Sequence, residues 1–343
     1  MRPKRIVTIG GGTGSFTLLS GLKKYPINIS AIVTMVDDGG STGVLRDELG
    51  VLPPGDVRQC LVALSDSTEM LRRLMNYRFD GGGLCGYNFG NLFLSALEKI
   101  NGSFTKGVME AADILDVKGD VIPVSEGNMR LHIKLANGKV LVGENNLDHN
   151  QNIRKIGIKK VFLKPRVRAN KKALKAIEQA DFIIIGPGDH FGSIISNLLV
   201  DGITGAIKHS KAKVIYNVNL TNKKGQTDNW DLDRYVFEIN GYIGENRVNF
   251  ATHNSQKVSR YLATKYVRRE GSSAIVVLKD KTKKRPFAVI GGNFLYEKSV
   301  PAVRGDADAD TRSFIRHDSD RLARTTMFLI DPEMNRKFVK KIL

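Results

Sequence analysis

The chain has 343 residues, 41% of them hydrophobic, which is enough to bury one large core or two smaller ones. No apolar run approaches the roughly 20 residues of a membrane helix, so we expect no membrane insertion, and the N-terminus lacks the apolar stretch of a secretory signal. Two cysteines, Cys60 and Cys85, are too few for a disulfide framework. We therefore expect a soluble cytoplasmic protein.

The net charge of +18 is concentrated in one half of the chain. Residues 1–150 carry 16 Lys+Arg and 16 Asp+Glu, whereas residues 151–343 carry 37 and 19. The densest basic stretches are 154–172 and 257–285, and neither has the interleaved aromatic residues of a single-strand stacking platform. A solvated basic surface and a site for multiply anionic small ligands are both compatible with this pattern. Nucleic-acid binding is an alternative that we do not favour.

The first hundred residues alternate between strand and helix patterns. Residues 6–9 form a short β-branched run that meets a glycine loop and a helical pattern, and residues 29–36 are rich in Ile and Val, as a buried parallel strand should be. This order predicts a βαβ unit. Further helices are predicted over 57–64, with Asp56 as a candidate N-cap, and over 91–100.

From residue 114 to about 163 the pattern becomes alternating and strand-like. Strands are predicted over 121–124, 131–135 and 140–142. The turn between the last two contains Asn137-Gly138, the strongest short-range signal of a hairpin. We interpret residues 114–165 as an antiparallel, β-rich insertion.

Helix and strand patterns alternate again in the remainder of the chain. Helices are predicted over 171–179, 194–199 and 230–240, and strands over 182–185, 214–218, 248–251, 274–278 and 287–290. The predicted fold class is α/β, a Rossmann-like, doubly wound, mostly parallel sheet with a β-rich insertion. The regions are 1–113, a Rossmann-like half with glycine loops; 114–165, the insertion; 166–255, a second α/β half; and 256–343, a basic C-terminal extension.

Five polar or glycine-rich clusters follow predicted strands, where open α/β sheets bind ligands. The first exposes backbone N–H groups at a helix N-terminus, which favours phosphate binding. Its candidate residues are Gly11, Gly12, Thr13, Gly14 and Ser15. Ser15 stands where a dinucleotide fingerprint has its third glycine, and no P-loop lysine follows. A simple tight βα turn is the alternative.

The second cluster joins two aspartates, Asp37 and Asp38, to a loop that could take phosphate oxygens. The loop residues are Gly39, Gly40, Ser41 and Thr42. A carboxylate here could hold a divalent metal such as Mg²⁺, and Arg46 would add a bidentate anion contact. The third cluster surrounds Asp56, which could complete the metal site or only cap its helix. An Asx-capped loop with a surface arginine is the alternative for the second cluster.

The other clusters supply amides and further glycines. Asn88 and Asn91 enter a predicted helix, where they suit hydrogen bonds to a base, a sugar or an acetamido group, or ordinary capping. The ends of two later strands carry Gly186, Gly188 and Asn219. Each cluster alone has an ordinary explanation, but five at strand ends are hard to explain as packing. The six histidines show no ligand spacing, and His317 is interpreted as an exposed helix cap.

Taken together and in order, these motifs resemble a known family. They are IGGGTG at 9–14, VDDGGSTG at 36–43, PPGDVR at 53–58, FGNL at 89–92 and GPG at 186–188. They are similar to the bacterial gluconeogenesis-factor branch (UPF0052) of the CofD-like, phospholactate-transferase-like superfamily. The resemblance extends from residue 5 to about 255, and residues 316–318 show a weaker similarity to the family.

The resemblance implies a Rossmann-like cytoplasmic protein that binds UDP-sugars, UDP-N-acetylglucosamine among them. Such proteins are needed for growth and cell shape on gluconeogenic carbon sources. In their enzymatic cousins a phospholactyl-type group passes from a nucleotide diphosphate to a deazaflavin hydroxyl with the help of a divalent metal. By this resemblance the metal set carries over to Asp37, Asp38 and Asp56. We expect a homo-oligomer, with no tightly bound flavin or NAD.

The chain departs from the branch at Thr42 and Val44, where serine and arginine are expected, and at Asn88, which replaces a serine. The leading hypothesis is a nucleotide-sugar-binding protein. One alternative is a metal-dependent phospholactyl-type transferase with a nucleotide diphosphate donor, and another is a nucleic-acid binder through the basic C-terminal half. An NAD dehydrogenase fits least, because of Ser15.

Overall fold

The computed structural model describes residues 2–272, 274–297 and 314–332. Its strands are β1 (Arg5–Gly10), β2 (Asn28–Val33), β3 (Asp120–Pro123), β4 (Arg130–Leu135), β5 (Val140–Val142), β6 (Ile158–Lys164), β7 (Phe182–Ile185), β8 (Lys213–Asn217), β9 (Val248–Asn254) and β10 (Ala288–Gly292).

The helices alternate with the strands along most of the chain. They are α1 (Gly12–Leu22), α2 (Gly40–Leu49), α3 (Gly55–Leu64), α4 (Glu69–Asn76), α5 (Phe89–Asn101), α6 (Phe104–Ile114), α7 (Asn146–His149), α8 (Gln151–Ile156), α9 (Lys171–Gln179), α10 (Ser196–Leu198), α11 (Ile203–His209), α12 (Leu232–Ile243), α13 (Arg260–Glu270) and α14 (Ser319–Ile330). A 3-10 turn at Gly82–Leu84 and a π-helical turn at His190–Ile195 complete them.

Seven strands form one parallel sheet in the order β10-β9-β8-β7-β1-β2-β3. Strand β1 lies between β2 and β7, with Ile6 opposite Ile29 on one side and Phe182 on the other. The chain order of the strands reverses here, which is the switch point where doubly wound sheets bind ligands. Helix α1 packs against α3 and α14, and α11 packs against α9 and α12. The predicted Rossmann-like fold is confirmed.

The central strands are continuous apolar runs because helices cover the sheet. In β7, Ile183, Ile184 and Ile185 have no measurable exposure. Full burial of such a side chain is worth about 2–3 kcal/mol. An apolar run without polar alternation therefore marks a central parallel strand.

The smaller sheet is antiparallel, in the order β5-β4-β6. Along β4, buried Leu131, Ile133 and Leu135 alternate with half-buried residues. Gly138 has φ +90 in the tight turn to β5, which confirms the predicted hairpin. Strand β3 was predicted to belong to this insertion, but it pairs in parallel with β2 at the edge of the main sheet. An alternating pattern alone does not specify which sheet a strand joins.

Two other predictions need correction. Residues 274–278 form no strand, because their backbone bonds go to loops: the Asn222 N–H donates to the Ala274 carbonyl at 2.8 Å and the Val276 N–H to that of Leu220 at 3.1 Å. The predicted helix at 194–199 overlaps the π-helical turn, which begins at His190 and ends at Ile195. Only α10 is α-helical within the predicted range. Strand β10 confirms the strand predicted at 287–290.

The C-terminal part of the described chain returns to the sheet. Strand β10 pairs with β9, so the region predicted as an extension supplies the seventh strand. Helix α14 packs on α1 at Gly21, where an added Cβ would lie 2.6 Å from Ala323. The segment before α14 pairs with residues 294–296, as the Tyr296 N–H donates to the Arg316 carbonyl at 2.9 Å. Among the described residues, no helix combines the length and apolar character needed to cross a bilayer.

Candidate functional site

A crevice with two lobes lies beyond the carboxyl ends of the central strands. The first lobe, of about 230 Å³, is lined by Gly11, Thr13, Gly14, Thr17, Pro187, Gly188, Asp189, His190, Ser193, Asn219, Leu220, Thr221, Lys223, Gln226, Thr227, Tyr235, Ile315, Arg316 and His317. The second, of about 170 Å³, is lined by Gly12, Thr13, Asp37, Gly39, Gly40, Ser41, Thr42, Gly55, Asp56, Arg58, Gln59, Arg78, Asn91, Glu144, Asn145, Asp148, His149, Gly192 and Ser193. Thr13 and Ser193 line both lobes, so they mark the boundary.

Helix N-termini converge on the second lobe. Helices α1, α2 and α3 each begin beside it, and their N-cap residues Gly11, Gly39 and Pro54 make no side-chain capping bond. These N-cap residues therefore satisfy none of the first N–H groups of their helices, and the positive ends of the helix dipoles add to the local potential. Several such N-termini at one cavity produce a local potential that favours negative charge.

Glycines are required here by close approach. A Cβ on Gly14 would collide with the Pro187 carbonyl oxygen, so α1 and the loop after β7 meet backbone to backbone. A Cβ on Gly11 would collide with the Asp56 carboxylate and lie 2.8 Å from a Thr34 methyl. The first glycine loop is thus fixed between β7 and α3.

Two of the three predicted metal residues line the second lobe, and the third does not. Asp37 and Asp56 are lining residues, and the Asp37 Oδ1 accepts a bond from the Gly39 N–H at 3.0 Å. The Asp38 Oδ1 instead accepts from the Asn145 N–H at 2.7 Å, which ties the loop after β2 to the insertion. Within the part of the chain that the structure describes, no three His, Cys, Asp or Glu side chains form a metal-ligand group.

The insertion contributes Glu144, which sequence reasoning missed. Its carboxylate lies against Gly192 in the second lobe. Burial is the main cause that raises its pKa well above the ordinary value, and the charges of Asp37 and Asp189 raise it further. These surroundings favour the neutral carboxylic acid, which can donate a hydrogen bond to an anion.

A lysine joins the insertion to the main sheet. The Lys223 Nζ donates to the Asp148 Oδ1 at 2.6 Å and to the Asp189 Oδ2 at 2.7 Å. The other oxygen of Asp189 accepts from the Gly192 N–H at 2.7 Å and so caps the π-helical turn. Burial acts to raise the pKa of Asp189, but the Lys223 ammonium outweighs it and holds that pKa below its ordinary value. Lys223 thereby links the loop after β8, the π-helical turn and α7.

The first lobe contains His317, and its interpretation as an exposed cap was wrong. Asp318 is the N-cap of α14 and accepts from the Arg321 N–H at 2.9 Å. The half-buried ring of His317 lines the lobe. Burial lowers its pKa to about 4, against an opposing hydrogen bond to the Val218 backbone, so the ring is neutral at pH 7.

Several polar atoms of the first lobe have no partner among the described residues. They are the Nε2 of His317, the Oδ1 of Asn219 and both ring nitrogens of His190. His190 is only 2% exposed, and burial lowers its pKa to about 3. Buried polar groups in proteins are normally hydrogen-bonded, so the lobe offers bonds that a polar ligand can complete.

Five predicted site residues lie outside both linings: Asp38, described above, and Ser15, Arg46, Asn88 and Gly186. Arg46 is buried, and its Nη2 donates to the Asn128 side chain and, at 2.5 Å, to the Met129 carbonyl, because α2 turns this face toward the insertion. Asn88 caps α5 and accepts from the Asn91 N–H at 3.2 Å. Ser15 is buried in α1, and Gly186 turns the chain after β7 with φ +66.

The other predicted residues do line the crevice. They are Gly11, Gly12, Thr13, Gly14, Gly39, Gly40, Ser41, Thr42, Asn91, Gly188, Asn219, Asp37 and Asp56. Asp56 was also considered as a helix cap, but the N-cap position is Pro54 and Asp56 lies in the first turn. The residues that were missed, Glu144 and Lys223 among them, come from segments whose local pattern carries no ligand signal. Arg316 lies in the segment 316–318, where the family resemblance is weak.

Comparison with known proteins identifies relatives over nearly the whole chain. The sequence model of the family 2-phospho-L-lactate transferase CofD matches residues 6–295. A protein of Clostridium acetobutylicum is 38% identical over 343 residues, which cover 99% of this chain and 72% of that protein. A protein named gluconeogenesis factor, from Halalkalibacterium halodurans, is 39% identical over 302 residues, covering 87% of this chain and 92% of its own.

A solved structure has the same fold. The crystal structure of a member of the UPF0052 family from Bacillus halodurans superposes with a TM-score of 0.84 at 35% identity. The match covers 95% of this chain and 99% of that one. The fold of this chain therefore has a counterpart of known structure.

Proposed function

The chain belongs to the 2-phospho-L-lactate transferase CofD family, and on this premise we propose that it binds a nucleoside diphosphate sugar, of the UDP-sugar class, across the two lobes. We further propose that the protein acts in the cytoplasm as a gluconeogenesis factor, needed for growth and cell shape on gluconeogenic carbon sources. The name of the H. halodurans relative supports the gluconeogenic part of this proposal.

The convergence of uncapped helix N-termini carries the binding proposal. Helices α1, α2 and α3 present N–H groups to the second lobe, next to the boundary residues Thr13 and Ser193. A diphosphate at this boundary would accept bonds from these groups, which preorganised backbone provides without further ordering.

The lobes on either side suit the two ends of such a ligand. In the first lobe, Asn219 and His317 carry polar atoms without partners, which suit a base or a ribose. Arg316 also lines that lobe, whereas the charge of Lys223 is balanced by Asp148 and Asp189. The second lobe, which contains Asn91, would hold the sugar.

We assign a divalent cation, Mg²⁺, to Asp37 and Asp56 when the diphosphate is bound. Magnesium is commonly held by one or two carboxylates, with phosphate oxygens and waters completing the shell. A pair of carboxylates beside a diphosphate cradle fits this donor set, even though Asp38 is engaged elsewhere. The cation would neutralise diphosphate charge that otherwise faces these carboxylates.

A second candidate is a metal-dependent transferase of a phospholactyl-type group. The family match favours it, as does the acid Glu144 in the same lobe as Asp37 and Asp56. In that reaction the metal would stabilise charge on the transferring phosphoryl oxygens. Turnover of a nucleotide diphosphate donor that is lost in Asp56→Asn would establish the enzyme.

Calorimetric titration tests the binding proposal. UDP-N-acetylglucosamine, UDP-glucose, GDP and NAD are each titrated into the protein with and without Mg²⁺. We expect micromolar binding of a UDP-sugar, about −8 kcal/mol, that is weaker without Mg²⁺. Asp56→Asn should remove the Mg²⁺ dependence. Asp113→Asn, an exposed aspartate on α6, is the matched control and should bind as the unmodified protein does.

Two outcomes would count against the proposal. Binding of GDP alone, and only with metal, would favour the transferase. Absence of UDP-sugar binding in the presence of Mg²⁺ would mean that the chain shares the fold of its relatives but not the proposed ligand. The cellular role is tested by whether the gene restores growth on a gluconeogenic carbon source to a bacterium that lacks its own gluconeogenesis factor.

A further inference from the structure

Away from the crevice, one face of α13 lines a groove rich in basic side chains. The groove, an open cavity of about 930 Å³, is lined by Arg260, Tyr261, Thr264, Lys265, Arg268, Arg269 and Phe314. Residues 260, 264 and 268 are spaced by four, and 261 and 265 likewise, so they share one side of the helix. Arg260, Tyr261, Lys265 and Arg268 are all exposed.

The one acidic residue of α13, Glu270, pairs with a single cation of the groove, Arg269. Glu270 is buried, and its carboxylate accepts from the Arg269 Nε at 2.7 Å, the Arg154 guanidinium at 3.0 Å and the Lys224 N–H at 3.0 Å. Within residues 2–272, 274–297 and 314–332, no carboxylate pairs with Arg260, Lys265 or Arg268. Among the described residues, the groove therefore holds at least three positive charges without a paired carboxylate.

Aromatic rings form part of the groove. Phe314 lies under the cations, with the Lys265 Nζ 4.7 Å and the Arg269 guanidinium carbon 4.8 Å from its ring centroid. The Tyr261 ring is 74% exposed at the groove. The sequence analysis found no interleaved aromatic platform in residues 257–285, but Tyr261 lies within this stretch, and the fold adds Phe314 from outside it.

We propose that this α13 groove binds single-stranded nucleic acid, with Arg260, Lys265 and Arg268 on the phosphates and a base stacked on Tyr261. Positive charge along a groove together with an aromatic ring free to stack is the arrangement that sequence-tolerant single-strand binders use. An anionic membrane surface fits less well, because an interfacial helix must present an apolar face outward. In α13 the ring of Tyr266 is buried, 1% exposed, against the body of the protein.

Fluorescence anisotropy with labelled single-stranded RNA and DNA oligonucleotides tests the proposal on the full chain. Three phosphate contacts predict a fall in the logarithm of the binding constant with the logarithm of salt of slope about −2. The triple variant Arg260→Gln/Lys265→Gln/Arg268→Gln should bind about tenfold or more weakly, with a slope near zero. Tyr261→Ala should lose about fivefold or more with the slope unchanged.

A matched control separates the groove from general positive charge. Lys171→Gln/Lys172→Gln/Lys175→Gln removes the same charge from exposed positions of α9, at the end of the basic stretch 154–172. The proposal expects less than a threefold effect from this control, and unchanged melting and UDP-sugar titration for both triple variants. Equal weakening by both triple variants would overturn it, as would no oligonucleotide binding, or binding only to phosphatidylserine vesicles. Because no groove residue lines the crevice, this result is independent of the nucleotide-sugar proposal.

Discussion

Replacing Lys223 with methionine should destabilise the protein in a pH-dependent way. The ammonium bridges the carboxylates of Asp148 and Asp189 at 2.6 and 2.7 Å, with side chains 25%, 31% and 16% exposed. Methionine keeps much of the alkyl volume but leaves both carboxylates without their cation. The perturbation therefore isolates the charge interaction.

The expected cost follows from this partial burial. Removing one partner of a fully buried ion pair costs about 3–5 kcal/mol, and partial solvent access reduces this to about 2–3 kcal/mol at pH 7. Lys224→Met is the matched control, since Lys224 is the exposed neighbour. Its cost should stay within about 0.5 kcal/mol.

The direction of the pH dependence is fixed by the pKa of Asp189. In the native protein this pKa lies below its ordinary value, so its contribution to stability is present above about pH 3.9 and is lost as the pH falls through the native-state pKa. In Lys223→Met the ammonium is lost, and burial, the largest influence on the carboxyl, raises its pKa against the remaining Gly192 hydrogen bond, so the variant recovers stability as acid protonates it. The difference between the two proteins should be largest near pH 7 and shrink toward pH 4.

Urea denaturation from pH 4 to 7 measures this difference. The single tryptophan, Trp230, is a suitable fluorescent reporter, because its ring centroid is 4.9 Å from that of His190 in the first lobe. Equal free energies of unfolding for Lys223→Met and Lys224→Met, or a difference that does not change with pH, would refute the reasoning.

Three further substitutions test the site and the insertion. Gly14→Ala should lower the free energy of unfolding by about 1–3 kcal/mol and weaken UDP-sugar binding, because its Cβ meets the Pro187 carbonyl. Thermal melting measures the first effect and calorimetry the second. Unchanged binding would contradict the close approach. Asp38→Ala should lower the free energy of unfolding in urea by about 1 kcal/mol. It should keep the Mg²⁺ dependence of UDP-sugar binding, because the Asp38 carboxylate bonds to Asn145 of the insertion. Loss of that dependence would show that Asp38 belongs to the metal site. Gly138→Ala, at φ +90, should lower the stability measured by thermal unfolding by about 1–2 kcal/mol. Gly205→Ala is the control: Gly205 is a helical glycine with open space around it, so this substitution should be neutral or stabilising. If both glycine-to-alanine substitutions changed the stability in the same direction, backbone conformation would not be what decides their effect.

The fold class was readable from the sequence because its signals are local. Continuous apolar runs such as 182–185 predict central parallel strands, and Asn137-Gly138 predicts its hairpin, since each depends on a few neighbouring residues. The glycine loops were readable for the same reason, because a glycine-rich turn between a strand and a helix is recognised from a few consecutive residues.

Tertiary structure decided which polar side chains face the crevice. Asp37 and Asp38 are adjacent, yet one lines the second lobe and the other holds the insertion through Asn145, because neighbouring side chains leave a loop in different directions. Arg46 turned to the insertion for the same reason.

The sequence by itself determined the alternation of strand and helix, the glycine loops at strand ends and the absence of charge balance in the second half. Only the tertiary structure placed Glu144, Lys223 and His317 at one crevice and Phe314 under the cations of α13. The physical reason is range. Backbone preference and burial periodicity act over a few residues along the chain. A binding surface instead joins side chains from segments that are far apart in sequence and that meet only when the strands assemble into the sheet.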